Sequence, residues 1–331
     1  MFSKTFAATS FSVLLVLLQQ DVSAFVVPTP PTTSSTALFM GGEVTPKTIK
    51  ALRDATGAGM MDCKAALLEN DGDQEAAADY LRTKGLAKAD KKASRVAAEG
   101  KIAVSQKDGK AVMVEVNCET DFVAKDGNFI GFCDQVAEAA VGIDNDSVDD
   151  LVASKAGDDT LEVIRQGLVA KIGENIQVRR MVSRGDGSNS VGAYVHMNKI
   201  GVMVEMEGGN EDLCKDVAMH VAAMNPPFAT PDDVPAEVLE KEKKFLSDQA
   251  LESGKPAEIV EKMVEGRIRK YLEEICVVSQ PYVKDSSMTV EEYLKSNDAK
   301  MVGFSRIAVG EGIEKKEDDF AAEVAAMAGG K

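Results

Sequence analysis

Ala111-Val112-Met113-Val114-Glu115-Val116-Asn117 and Ile200-Gly201-Val202-Met203-Val204-Glu205-Met206 are two closely similar runs of β-branched and apolar residues. Such runs favour extended chain. Each follows a second strand candidate across a turn, Ile102 to Ser105 in the first case and Gly192 to His196 in the second. Each precedes a stretch with helical apolar spacing, Asn128 to Val141 and Glu211 to Met224. A duplicated strand-strand-helix unit predicts an α+β fold, two small subdomains that pack their helices on one sheet face. Between the copies, Leu161 to Val169 reads as a helix and Glu174 to Met181 as a further strand.

Toward the N-terminus, residues 45 to 84 read as three short helices. Thr45-Pro46 opens the first, Met60 to Glu69 forms the second, and Asp73 to Lys84 the third. Thr45 and Asp73 suit cap positions and Pro46 a first helical turn. Ile49, Leu52, Met61, Leu67, Leu68, Tyr80 and Leu81 are the expected core of this module, and the basic, Ala-rich stretch from Lys84 to Arg95 reads as a hinge or exposed connector. Toward the C-terminus, Val238, Leu239, Phe245 and Leu246 recur at seven-residue spacing, and Val264, Ile268, Tyr271 and Ile275 at helical steps. Joined by Gly254-Lys255-Pro256, they predict an antiparallel helical hairpin, packed on itself or, as the alternative, serving as a binding or dimerising arm. Residues 284 to 310 are expected to rejoin the second subdomain, and Asp318 to Met327 to form a terminal helix.

The first residues read as an address. Lys4 precedes the apolar run Phe11 to Leu18, and Val22-Ser23-Ala24 offers small residues for cleavage, which is secretory-signal geometry. The uncharged, Pro/Ser/Thr-rich stretch from Phe25 to Met40 reads as a leader. This two-part layout resembles the presequence of plastid proteins in algae with secondary plastids; a mitochondrial address is the alternative. The expected division is a signal peptide over 1–24, a transit or leader segment over 25–42, a three-helix module with linker over 43–95, and core subdomains over 96–182 and over 183–228 with 284–310. The hairpin occupies 229–283 and a C-terminal module 311–331.

Composition narrows the function. The chain of 331 residues carries 54 acidic against 38 basic side chains, a formal net charge of -16, which opposes broad contact with a phosphate backbone. No direct nucleic-acid binding and no membrane association of the mature chain are expected. Five scattered cysteines form no CxxC pair, and the two histidines, His196 and His220, lack metal-ligand spacing. No GxxxxGK[ST] loop is present, so no cofactor, metal or catalytic site is expected. The most unusual local stretch is Glu119-Thr120-Asp121-Phe122-Val123-Ala124, between a strand and a helix. Its plainest reading makes Thr120 or Asp121 a turn cap and sends Phe122 and Val123 into the core.

The same stretch resembles the translation elongation factor Ts family. The matching segments are Thr56 to Lys64, Glu115 to Ala124, Val169 to Asn175, Met219 to Ala223, Lys262 to Gly266 and Val309 to Lys315. They run in family order from about residue 43 to the C-terminus and include the hairpin, as in the bacterial and plastid type. The resemblance implies a guanine nucleotide exchange factor that binds elongation factor Tu in its GDP-bound and nucleotide-free forms. It implies that Thr120, Asp121, Phe122 and Val123 reach toward the partner's nucleotide, where Phe122 and Asp121 disturb the surroundings of the magnesium ion. Met60, Met61 and His196 are implied as weaker contacts, the terminal helix also docks on the partner, and a homodimer or a heterotetramer with the partner is the implied assembly. Two rivals stand beside this reading: a thiol enzyme using Cys118 or Cys63, and a ribosome- or nascent-chain-associated adaptor built on the N-terminal helices, which resemble ubiquitin-associated (UBA-like) modules.

Overall fold

A computed structural model describes residues 43–251 and 256–314. The predicted signal peptide, the leader, most of the hairpin turn and the terminal helix from Asp318 to Met327 lie outside the described residues.

Three helices come first: α1 Pro46–Thr56, α2 Met60–Glu69 and α3 Gln74–Lys92. The Thr45 side chain accepts from the Thr48 N–H and opens α1, Gly57 closes it in the left-handed conformation, and Asp73 accepts from the Glu75 and Ala76 N–H groups to open α3. Their core is Ile49, Leu52, Cys63, Ala66, Leu67 and Ala77. Two expectations fail here. Met61 and Leu68 are exposed, at 74% and 59%, because the small residues Cys63 and Ala66 face inward instead. The stretch after Lys84 is no connector, since α3 continues to Lys92 against the α6 helix described below. Gly85 allows the close approach, because a Cβ there would lie 3.1 Å from the Cβ of Ala170.

Next come strands β1 Glu99–Lys107 and β2 Lys110–Cys118, the helices α4 Gly127–Ala140 and α5 Val148–Ala153, the short pair β3 Lys155–Ala156 and β4 Asp159–Thr160, α6 Leu161–Ile172, and β5 Gln177–Arg184. The second lobe continues with β6 Ser190–His196, β7 Ile200–Gly208 and α7 Glu211–Met224. After the hairpin helices α8 Ala236–Leu251 and α9 Ala257–Ile275, the chain closes that lobe with β8 Pro281–Tyr282, β9 Asp285–Thr289, α10 Val290–Lys295 and β10 Ala299–Ala308. Each lobe holds an antiparallel three-stranded sheet, in the orders β1-β2-β5 and β10-β7-β6, with the quoted apolar run as its central strand. The β1–β2 turn places Asp108 and Gly109 both at positive φ, the geometry that a tight hairpin's twist requires.

One face of β2, with Val112, Val114 and Val116, packs on Phe129, Phe132, Val136 and the α6 residues Leu168 and Val169. The opposite face meets the other sheet: Ile102, Ala111 and Met113 pack with Val191, Met203 and Ile307. Gly201 lets the sheets touch, since a Cβ there would lie 2.3 Å from the Met113 sulfur. The same junction buries the carboxylate of Glu115, which accepts from the Gly310 N–H at 2.7 Å, Asn117 at 3.0 Å, Arg179 at 3.1 Å and the Arg180 Nε. Desolvation pushes its pKa up, but the bonds from Gly310, Arg180 and Asn117 outweigh that and hold it below the usual carboxylate value. Arg180 also donates to the Ala308 carbonyl, and Arg184 to that of Phe304, so β5 is laced to β10 of the other lobe.

The hairpin helices pack on each other, as their spacing predicts, with Leu246, Ala250 and Val260 buried. Phe245 departs from the predicted stripe and stands 61% exposed.

Candidate functional site

Strand β2 ends at Cys118, and the segment to α4 is a tight turn with the 3-10 helix Val123–Lys125 inside it. Asp126 closes the turn, its side chain accepting from the Asn128 and Phe129 N–H groups at 2.8 and 3.3 Å. Such a cap contributes about 1 kcal/mol to the helix it opens. Within the turn Val123 points inward and is 9% exposed, whereas Phe122 points outward and is 81% exposed. The plain expectation of two core residues therefore holds for Val123 and fails for Phe122. An aromatic ring so exposed leaves its apolar surface in water, about 25 cal/mol for every square ångström.

The neighbours of Phe122 are polar and braced. Asp121 is exposed, and the Lys125 ammonium at 2.8 Å holds its carboxyl below the usual carboxylate range. Thr120 is held by Glu174: its N–H donates to one carboxylate oxygen at 3.0 Å and its hydroxyl to the other at 2.7 Å. The Glu119 carboxylate accepts from the Asn175 N–H at 2.6 Å. Gly173 ends α6 in the left-handed conformation, and this turns Glu174 and Asn175 back onto the loop. Glu174 received no functional role from the sequence, which placed it in the Val169 to Asn175 segment and at the start of a predicted strand; the strand β5 begins only at Gln177, and Glu174 lies in the turn before it.

His196 ends β6 with an exposed ring whose Nδ1 lies 3.1 Å from the Tyr194 hydroxyl. After it, Met197 and Asn198 both adopt positive φ, and Met197 is 80% exposed. This turn sits beside the β1 end nearest the loop: the Asn198 carbonyl accepts from the Ile102 N–H at 2.8 Å, and Lys199 pairs at 2.8 Å with Glu99, which lies opposite Cys118. The structure thus brings His196 and the segment Thr120 to Val123 to one edge. Met60 and Met61 open α2, at 48% and 74% exposure. A Cβ on Gly57 would lie 3.1 Å from the stem of Lys171, whose ammonium bonds Asn128 at the start of α4. The end of α1 and the start of α4 therefore both border Lys171.

No competing chemistry gathers elsewhere among the described residues. Cys63 and Cys118 are fully buried, and burial pushes the Cys118 thiol up to about 12, so thiolate at neutral pH is negligible and the thiol-enzyme reading loses its nucleophile. His220 is buried with both ring nitrogens engaged: Nε2 lies 2.9 Å from Gln280 Oε1, and Nδ1 accepts from the Val283 N–H at 3.2 Å. A polar cleft of about 980 Å³ lined by Lys107, Asp108, Lys110, Glu138 and Asp186 lies at the other end of the β1–β2 ladder, away from Phe122.

The fold and this edge define a two-lobed α+β protein that presents on a braced loop the most exposed phenylalanine among the described residues, Phe122. Residues 119–311 match the family described as Elongation factor TS. Over 290 residues, 87% of this chain and 99% of the relative, it is 53% identical to Elongation factor Ts of Xanthomonas campestris pv. campestris. It is 54% identical over 284 residues, 85% of this chain and 97% of the relative, to that of Alkalilimnicola ehrlichii, and 53% over 282 residues, the same shares, to that of Francisella tularensis subsp. novicida. The chain belongs to the elongation factor Ts family.

Proposed function

We propose that this protein is the guanine nucleotide exchange factor for elongation factor Tu, and that it promotes GDP release during elongation by inserting Asp121 and Phe122 near the partner's magnesium site. The observation that carries the reading is the exposure of Phe122 on a turn whose other members are capped, buried or ion-paired. A factor of this kind needs no catalytic residue of its own. Binding the nucleotide-free partner more tightly than the GDP-bound one weakens GDP binding by the same factor, since the two affinities are linked. An aromatic ring suits the task, because it carries much apolar area with few torsions to freeze. Met60, Met61 and His196 add contacts around it. The N-terminal signal and leader direct the chain to an organelle, the plastid, where it serves organellar translation.

The test compares the wild type with the double variant Asp121→Ala, Phe122→Ala in stimulated release of fluorescent GDP from elongation factor Tu. The variant is expected to fold normally, since both side chains are exposed, and to lose most of the stimulation. Release as fast as with the wild type would overturn the assigned mechanism.

A further inference from the structure

Phe122 is so exposed that nothing packed around its ring fixes its direction. Direction must come from the backbone beneath it, and that backbone is held from one side. Glu174 spends both carboxylate oxygens on Thr120, at 3.0 Å to the N–H and 2.7 Å to the hydroxyl. The same hydroxyl oxygen accepts from the Val123 N–H at 3.4 Å, so the clamp spans Phe122 on both sides along the chain. The residues flanking Glu174 reach back to the end of α3: the Gly173 carbonyl accepts from Lys92 at 2.6 Å, and the Asn175 side-chain amide donates to the carbonyls of Ala93 and Arg95 at 3.3 and 2.8 Å. Three consecutive residues therefore touch the N-terminal helices on one side and the Phe122 turn on the other.

We propose that Glu174 is a positioning residue for nucleotide exchange, clamping Thr120 so that Phe122 keeps one working direction fixed relative to the N-terminal helices. The inference rests on Phe122 acting as stated under the proposed function. Glu174 is half-buried and belongs to none of the apolar clusters, so its removal frees the turn without opening the core. A freed Phe122 still reaches its target but spends much of its time misdirected, which lowers the maximal rate and leaves docking by the remaining surface in place.

The experiment uses the full chain with elongation factor Tu carrying fluorescent GDP, and reads the maximal stimulated release rate and the half-saturating concentration separately. Glu174→Ala and Thr120→Val are each expected to lower the maximal rate roughly five- to twentyfold, about the net worth of one hydrogen bond in a half-exposed place, with half-saturation moved less than about twofold. The double variant should be no slower than either single one, because both break the same clamp. Glu174→Gln, which keeps one acceptor oxygen for Thr120, should lose less than Glu174→Ala, and Glu174→Ala should add nothing in a Phe122→Ala background. Additive losses, a shift in half-saturation at unchanged maximal rate, or a further loss on top of Phe122→Ala would each overturn the inference. If Phe122→Ala is impaired while Glu174→Ala is normal, the positioning role alone fails; if Phe122→Ala itself matches the wild type, the underlying reading fails with it.

Discussion

Replacing Glu115 by Gln tests the joint between the two lobes. The substitution keeps the volume, removes the charge and turns one acceptor oxygen into a donor, in a place where the side chain has 0% exposure. Four N–H donors converge there, from Gly310, Asn117, Arg179 and Arg180. The single remaining oxygen can serve about two of them, so two charge-assisted bonds at about 1.5–3 kcal/mol each are lost. Arg179 and Arg180 are 28% and 32% exposed, and water recovers part of that loss. The expected destabilisation is about 3 kcal/mol, at the low end for breaking a buried pair from one side, or roughly 6 °C in Tm for a protein of this size. Acid adds a second signature. A carboxyl held below its unfolded value stabilises the fold fully above that value, about 4.3, and the contribution disappears as pH falls through the folded value. Urea midpoints followed by circular dichroism should therefore differ by a constant amount above about pH 5.5 and begin to converge as pH falls below about 4.3. A difference under about 1 kcal/mol at pH 7, or one that widens in acid, would refute the reasoning.

Four further outcomes follow from the packing. Phe122→Ala should change stability by less than about 0.5 kcal/mol, whereas Phe129→Ala, at a fully buried position, should cost about 3–5 kcal/mol in chemical denaturation. Gly192→Ala should destabilise the second lobe by about 1–3 kcal/mol, because the added Cβ would lie 2.6 Å from both the Cys214 Cβ and the Glu211 carbonyl oxygen; an unchanged midpoint would disprove that close approach. Burial lowers the His220 pKa against the opposing bond from Gln280, so the folded protein resists protonating it. Its contribution is then complete above about pH 6.5 and is lost as pH falls from there toward the lower folded value; its ring proton resonances should not shift near pH 6.5, and His220→Gln should flatten the stability profile below that point. All five cysteines are buried, so an alkylating reagent at pH 8 should label none quickly in the native protein and all five in urea.

The strand-strand-helix units were legible because apolar alternation and helical spacing are local signals: α7 begins and ends at the residues the spacing indicates, and the two quoted runs are the central strands. What stayed hidden depends on contacts distant in sequence. Helix α3 passes through the unfavourable Gly85 because α6 covers it there, and the Leu, Ala and Lys residues beyond are good helix formers that carry it on to Lys92. Met61 and Leu68 look like core on a helical stripe, but Cys63 and Ala66 fill the narrow space between the three helices. Glu115 looks like the solvent side of an alternating strand, yet all but the first residue of β2 are buried, because helices cover one face and the other sheet covers the opposite one. At the β2–α4 turn, Phe122 could be singled out but not oriented from sequence, since a strand-to-helix turn can send an aromatic either way. Its brace was invisible because Glu174 lies far along the chain from Thr120, brought near only by the left-handed turn at Gly173.

The hairpin's two roots are stitched side by side. The Phe228 N–H donates to the Ile275 carbonyl at 3.1 Å, and the Val277 and Val278 N–H groups return to the Phe228 and Ala229 carbonyls at 2.9 and 3.1 Å. Whatever hangs beyond that seam, the globule beneath sees the same short gap bridged in the same way, and lengthening the excursion adds only a slowly growing loop-closure entropy. The arm is thus an appendage that can be trimmed, extended or exchanged over generations without renegotiating the body that carries it.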